Sequence, residues 1–256
     1  MSAAIEARGL AIHVGGRTLV QQLSLQVRPG ELWAVLGANG AGKTLLLDTL
    51  AGLRPASRGS IDLAGRPLPQ WPALEIAKRR AFLPQAVHDA FSASVLDVVL
   101  LGRHPHMSRW GWEGEAERRM AVAALQAVEM DGLAARDVVT LSGGERRRVA
   151  IAALLVQDAP LALLDEPVAH LDLHHQIAIL ERLAALVREQ GKAVMLSVHD
   201  LNLAARFATH ALLFRGDGRV DLGPLEAVMS DAALSSAFRY PVARATLGGR
   251  SVFLPG

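Results

Sequence analysis

Gly37-Ala38-Asn39-Gly40-Ala41-Gly42-Lys43-Thr44 spells G-x-x-x-x-G-K-T, the pattern around which the rest of the chain is organised. It follows an apolar strand-like run, Leu32 to Leu36, and opens into a helical stretch from Thr44 to Leu50. A strand, a glycine-rich loop and a helix in that order form the context a phosphate-binding loop requires. The glycines let backbone N–H groups turn onto phosphate oxygens, and the helix N-terminus adds partial positive charge. Lys43 is placed to reach the β- and γ-phosphates of a nucleotide, and the Thr44 hydroxyl to ligate Mg²⁺.

Further along, Pro160-Leu161-Ala162-Leu163-Leu164 is a short, unbroken apolar run that ends in Asp165-Glu166-Pro167. Such a run reads as a strand buried on both faces of a parallel sheet. Acidic residues at its end lie where open α/β sheets bind ligands. Asp165 is placed to hold a Mg²⁺ shell, and Glu166 to orient or deprotonate an attacking water.

Leu141-Ser142-Gly143-Gly144-Glu145 combines two readings. Ser142 with Glu145 three residues later is a capping box, opening a helix through Arg146 to Val156. A helix N-terminus carrying two glycines is also a place where backbone amides can grip a phosphate.

Around these motifs the chain alternates. Strand-like segments run from Ile5 to Val14 and Leu19 to Val27, and helix formers gather from Glu115 to Val128. Strand Leu161 to Leu164, helix Leu173 to Gln190, strand Ala193 to Val198 and helix Leu201 to Ala208 follow. This βα alternation predicts a parallel sheet. The last stretch, Ala211 to Gly256, mixes short strands with a helix around Pro224 to Met229. The 256 residues read as one domain: 1–85 and 159–256 form the core, and 86–158 a helical subdomain with the Ser142 motif.

Composition narrows the function. The chain has no cysteine, which excludes disulfides and fits a reducing compartment. Its first residues, Met1 to Glu6, lack the basic and apolar regions of a signal peptide. Residues are 51% hydrophobic, yet no apolar run approaches the roughly 20 residues that span a bilayer. Val149 to Val156 reads as a core helix. The net charge of +2, with only the short clusters Lys78 to Arg80 and Arg146 to Arg148, argues against a nucleic-acid partner. The first cluster reads as a solvated helix face; the second could also sit near nucleotide phosphates. The nine histidines do not suggest a resident metal: His174 and His175 are sequence neighbours and do not face one another on a helix. No cysteines or clustered carboxylates complete a zinc set.

The chain resembles the ATP-binding subunits of ABC transporters over nearly its whole length. The resemblance rests on the phosphate loop, Gln85 in Leu83-Pro84-Gln85, Leu141 to Glu145, Asp165-Glu166, Leu171-Asp172 and His199, in the family's order. It departs twice: Glu145 stands where many members have Gln, and His13 where members often place an aromatic ring against adenine.

The resemblance implies an α/β fold: a P-loop NTPase (RecA-like) core with a mixed sheet, an N-terminal antiparallel β subdomain and an inserted helical subdomain. It implies an ATPase using Mg²⁺ with ATP. The nucleotide would be held by His13, Gly37, Asn39, Gly40, Ala41, Gly42, Lys43, Thr44 and Leu45. Ser142, Gly143, Gly144 and Asp172 would act across a head-to-tail dimer of two copies. Glu166, His199 and Gln85 would be the catalytic set, with Gln85 sensing the γ-phosphate and His199 steadying the attacking water. Thr44, Gln85 and Asp165 would hold the Mg²⁺.

The segment Phe91 to His106 and the run His170 to Gln176 are similar to the same regions in importers of iron-siderophore, haem and cobalamin. That likeness implies an ATPase powering uptake of a metal chelate, haem or ferric siderophore before cobalamin. Its partners would be two transmembrane permease subunits and, indirectly, a substrate-binding protein, with the chain peripheral on the cytoplasmic face of the cell membrane. After Gln85, Val87 to Arg103 would line a groove for the permease, with Phe91 a contact and Val98 to Leu101 filling the subdomain core. The alternative is a non-transport ABC ATPase acting as a mechanical switch in DNA repair or translation.

Overall fold

The computed structural model describes residues 2–86, 91–107 and 114–256. Its centre is a six-stranded sheet in the order β10-β9-β3-β8-β7-β6. The strands are β3 (Leu32–Leu36), β6 (Arg80–Leu83), β7 (Leu161–Leu164), β8 (Ala193–Ser197), β9 (His210–Phe214) and β10 (Val220–Pro224). Five run parallel; β10 closes one edge antiparallel to β9. The mixed sheet is therefore a parallel core with one reversed strand. The second sheet, order β2-β1-β4-β5, is antiparallel: β1 (Ile5–Val14), β2 (Arg17–Val27), β4 (Arg58–Leu63) and β5 (Arg66–Pro67).

Alternate residues explain why the central strands are apolar throughout. Leu32, Ala34 and Leu36 of β3 face one core with Ala162, Leu164, Val194 and Leu196, while Trp33 and Val35 face the other with Leu161, Leu163, Ala193 and Met195. Helices α3 (Val95–Leu100), α4 (Glu115–Gln126), α5 (Gly143–Gln157), α6 (Leu173–Gln190) and α7 (Leu201–Phe207) contribute to the first core. Helix α1 (Lys43–Leu50) and the antiparallel sheet build the second. A sheet covered on both faces has no use for polar alternation.

The chain also contains a short helix α2 (Ala73–Arg79), helices α8 (Leu225–Val228) and α9 (Asp231–Phe238), and a hairpin of β11 (Val242–Leu247) with β12 (Arg250–Pro255). The sequence reading did not anticipate α2, whose side chains are none of them fully buried, although Ile76 packs against the second core. Nor did it anticipate α9, which follows a Ser230 cap immediately after the helix expected around Pro224 to Met229. Among the described residues, no helix is long and apolar enough to cross a membrane.

Register places the site. Val35 lies opposite Ser197, Leu196 opposite Leu164, and Leu164 opposite Leu83 on four adjacent parallel strands. The residues just beyond these strands therefore form one row: Gly37, His199, Asp165-Glu166 and Pro84-Gln85. Carboxyl ends of strands in an open α/β sheet are where ligands bind.

Candidate functional site

The phosphate loop leaves β3 through Gly37, whose φ of 144° lies outside the range of L side chains. A Cβ there would stand 2.9 Å from Cβ of Phe214 on the neighbouring strand β9, so both backbone and packing demand glycine. Gly42, at φ 111°, caps α1 and turns the chain into it. Ala38, Asn39 and Gly40 are exposed, Ala41 and Gly42 half-buried. The Lys43 ammonium lies inside the loop, donating to the carbonyl oxygens of Gly37 at 2.8 Å and Ala38 at 3.2 Å. Burial pushes its pKa down, and the nearby carboxylates of Glu166 and Asp165 oppose that shift. Thr44 and Leu45, in the first turn of α1, are half-buried.

Asp165 is 1% exposed. Its Oδ1 accepts a 2.5 Å hydrogen bond from the hydroxyl of Ser197, at the end of β8. Its Oδ2 is buried without a hydrogen-bond donor among the described residues. A buried carboxylate oxygen in that state is costly unless a cation uses it. The same Ser197 hydroxyl accepts from the Glu166 backbone N–H at 2.8 Å. Glu166 has φ 48°, a left-handed conformation uncommon for a non-glycine residue. Its Oε1 lies 2.6 Å from Nε2 of His199, which is otherwise exposed. Ser197 was not singled out from the sequence; its signal is one hydroxyl at the end of an otherwise apolar strand.

Arg147, from the second basic cluster, is buried rather than facing solvent. Its guanidinium donates to the backbone carbonyls of Asp165, Pro167 at 3.2 Å, Pro84 at 2.6 Å and Gln85 at 3.2 Å. Burial draws its pKa down to about 10, with Asp165 and Glu166 opposing, so it remains charged at neutral pH. One side chain from the first turns of α5 thus ties together the ends of β6 and β7. The first basic cluster also departs from a plain solvated face: Arg79 lies over the Trp71 ring, and Arg80 is half-buried, its Nε without a hydrogen-bond partner among the described residues. Lys78 does pair with Glu75 at the surface.

Ser142 caps α5 as the capping box requires. Its N–H donates to Oε2 of Glu145 at 2.8 Å, and its hydroxyl accepts from the Glu145 N–H at 3.2 Å. The Ser142 N–H, then its hydroxyl, hold the Glu145 carboxyl below the usual carboxylate value. Glu therefore serves this cap as Gln would, with charge added. A Cβ on Gly143 would meet nothing within 4 Å, whereas one on Gly144 would press on Leu171 at 3.3 Å. Gln85, Gly143, Arg147 and Glu166 share the lining of one cleft of about 190 Å³.

Asp172 caps α6, accepting from the His175 N–H at 2.9 Å. His13 is exposed on β1, with Nδ1 3.0 Å from the Thr18 hydroxyl of β2. The histidine reading needs correction: His174 and His175 converge with Glu129 into a group whose ligand atoms lie within 4.8 Å of one another. Neighbours on a helix can share a partner when it arrives from another element. Leu101, placed in the subdomain core by the sequence reading, is 66% exposed; Phe91 is exposed, and residues 87–90 lie outside the described residues.

Comparison with known proteins agrees with this geometry. A family model described as ABC transporter matches residues 20–169. Over 238 residues the chain is 44% identical to the hemin import ATP-binding protein HmuV of Streptomyces coelicolor, covering 92% of this chain and 83% of that protein. A solved structure described as a metal-chelate type ABC transporter in an inward-facing conformation matches with TM-score 0.85 and 28% identity, covering 99% and 98% of the two chains. A dimeric ATP-binding cassette bound to ADP and Pi matches with TM-score 0.75 and 25% identity, covering 86% and 98%. The protein belongs to the ABC transporter family and is an ATPase with that family's P-loop core.

Proposed function

We propose that this ATPase powers import of a metal chelate through a separate transmembrane permease, peripheral on the cytoplasmic face of the cell membrane. Haem or a ferric siderophore is the first expectation and cobalamin the second. The observation that carries this reading is the 44% identity, over 92% of the chain, with a hemin import protein. A binding protein would deliver the chelate to the permease. Residues 1–85 and 159–256 serve as the core, and 86–158 as the subdomain bearing Ser142.

In the hydrolytic step Lys43 and the loop amides hold the β- and γ-phosphates, and His13 lies against the adenine. Glu166 takes the proton of the attacking water. His199, already 2.6 Å from Oε1, orients that carboxylate. Gln85 reports the γ-phosphate toward the permease. Asp165, Thr44 and Gln85 would hold Mg²⁺; the donorless Asp165 Oδ2 fits a cation. Mg²⁺, when bound with ATP, neutralises charge on the β- and γ-oxygens.

Two copies pair head to tail in this reading, each site completed by Ser142, Gly143 and Gly144 of the other, with Asp172 at the contact. Gly143 supports it, because neither its φ nor any neighbour within 4 Å among the described residues requires glycine there. Reconstitution with the permease in liposomes tests the import reading. ATPase activity rises when a haem-, siderophore- or cobalamin-loaded binding protein is added. Stimulation by a sugar or amino-acid binding protein alone would overturn the chelate assignment and leave the ATPase untouched.

A further inference from the structure

Glu129 closes the turn after α4 in a left-handed conformation, φ 56°. Arg148 holds that turn, donating to the carbonyls of Val128 at 3.1 Å and Glu129 at 3.0 Å. The Glu129 carboxylate thereby meets the first turn of α6. There its Oε1 lies 3.0 Å from Nε2 of His174 and its Oε2 3.9 Å from Nε2 of His175. The two imidazoles stand edge to face, centroids 5.1 Å apart, which lets both Nε2 atoms point at one carboxylate.

The second nitrogen of His175 is also engaged. Its Nδ1 lies 2.9 and 2.7 Å from the two oxygens of Asp172. A carboxylate only accepts, so Nδ1 is the donor here, and in the neutral ring Nε2 keeps the lone pair a metal would use. A carboxylate behind a histidine in this way fixes ring and tautomer at metal centres and raises ligand basicity.

We propose that Glu129, His174 and His175 bind a divalent transition-metal ion of the zinc class, with Asp172 as the positioning residue behind His175. Two imidazoles and one carboxylate form a known three-ligand zinc set with a position left for water. Ligands about 2.0–2.2 Å from one tetrahedral zinc stand roughly 3.3 Å from each other. The 3.0 and 3.9 Å separations, each to a different carboxylate oxygen, bracket that value, and the ligand atoms lie within 4.8 Å of one another, so side-chain rotation has to draw them together around an ion. On binding, the Nε2 proton of His174 exchanges through solvent to Nδ1, so that the ring ligates as a neutral imidazole. The ion joins the turn after α4 to the start of α6, two elements 45 residues apart in the chain. It does so three residues from Asp172, the residue proposed to act across the dimer.

Calorimetric titration of the untagged, EDTA-stripped full chain with ZnCl₂ tests this. The expected result is one saturable Zn²⁺ per chain and a higher thermal midpoint with Zn²⁺. Glu129→Gln and His174→Ala each weaken binding at least about tenfold, and Asp172→Asn by about 10–100-fold, the usual effect of losing the residue behind a ligand. His104→Ala with His106→Ala leaves it unchanged. Thermal midpoints in EDTA, expected to match wild type, separate loss of the ion from loss of the fold. Absence of saturable binding, or affinity unchanged in both Glu129→Gln and His174→Ala, overturns the proposal and leaves three residues held by hydrogen bonding and ring contact.

Discussion

Ser197 donates its hydroxyl proton to Oδ1 of Asp165 at 2.5 Å and accepts the N–H of Glu166 at 2.8 Å. One hydroxyl on β8 thus sets both acidic residues at the end of β7. Ser197→Ala leaves the Asp165 carboxylate without its donor and the Glu166 N–H without its acceptor. A buried group left unpaired costs about 1–3 kcal/mol. Urea unfolding of Ser197→Ala should show that loss, and its ATPase rate should fall because Glu166 is no longer anchored. Unchanged stability and rate would show that the bridge has no such role.

Glu166→Gln keeps shape and hydrogen bonding but removes the base. Hydrolysis should fall by about 10²-fold or more. ATP binding persists, and light scattering with ATP should detect a dimer. Lys43→Ala acts differently, weakening nucleotide binding itself, because the ammonium inside the loop is lost. Wild-type turnover in Glu166→Gln would remove Glu166 as the base.

Arg147→Met keeps most of the buried volume and strips the donor from four backbone carbonyls: Asp165, Pro167, Pro84 and Gln85. The expected cost is several kcal/mol in urea unfolding, at about 1–3 kcal/mol for each buried group left unsatisfied and less where water enters. Because these carbonyls flank Gln85 and Glu166, kcat should fall more than ATP affinity. An exposed arginine would give neither effect.

Glu145 supplies a pH test. Its folded pKa is lowered, first by the Ser142 N–H, from the usual 4.5. A carboxyl with a depressed folded pKa stabilises fully above its unfolded value, and this contribution is lost as pH falls through the folded one. Glu145→Gln preserves the capping box without the charge. Stability of the wild type should therefore decline more steeply than that of Glu145→Gln as pH falls below 4.5. Parallel acid limbs in the two proteins would contradict this origin.

Local chemistry is what the amino-acid order encodes most directly. The phosphate loop needs only glycines at fixed offsets, and β3 and β7 begin and end at the residues their apolar runs mark. Asp165 and Glu166 were legible because they terminate a run too apolar for any place but a sheet covered on both faces. Ser142 caps a helix whose start its side chain announces, and in the structure Asp172 and Asp200 cap the helices that follow them. Tertiary structure decided the rest. Arg147 and Arg148 are adjacent in a basic cluster, yet one is buried among four carbonyls and the other holds the turn bearing Glu129. Neither partner set lies within ten residues, so no window of sequence contains it. Ser197 reads as a polar lapse in β8 until the parallel register brings it beside Asp165, 32 residues away. His174 and His175 diverge on a helix drawn alone; a third residue from another element makes them converge. Short-range patterns fix φ, ψ and one face of an element, whereas side-chain partnership depends on strand order and helix packing, which the whole chain's burial sets together.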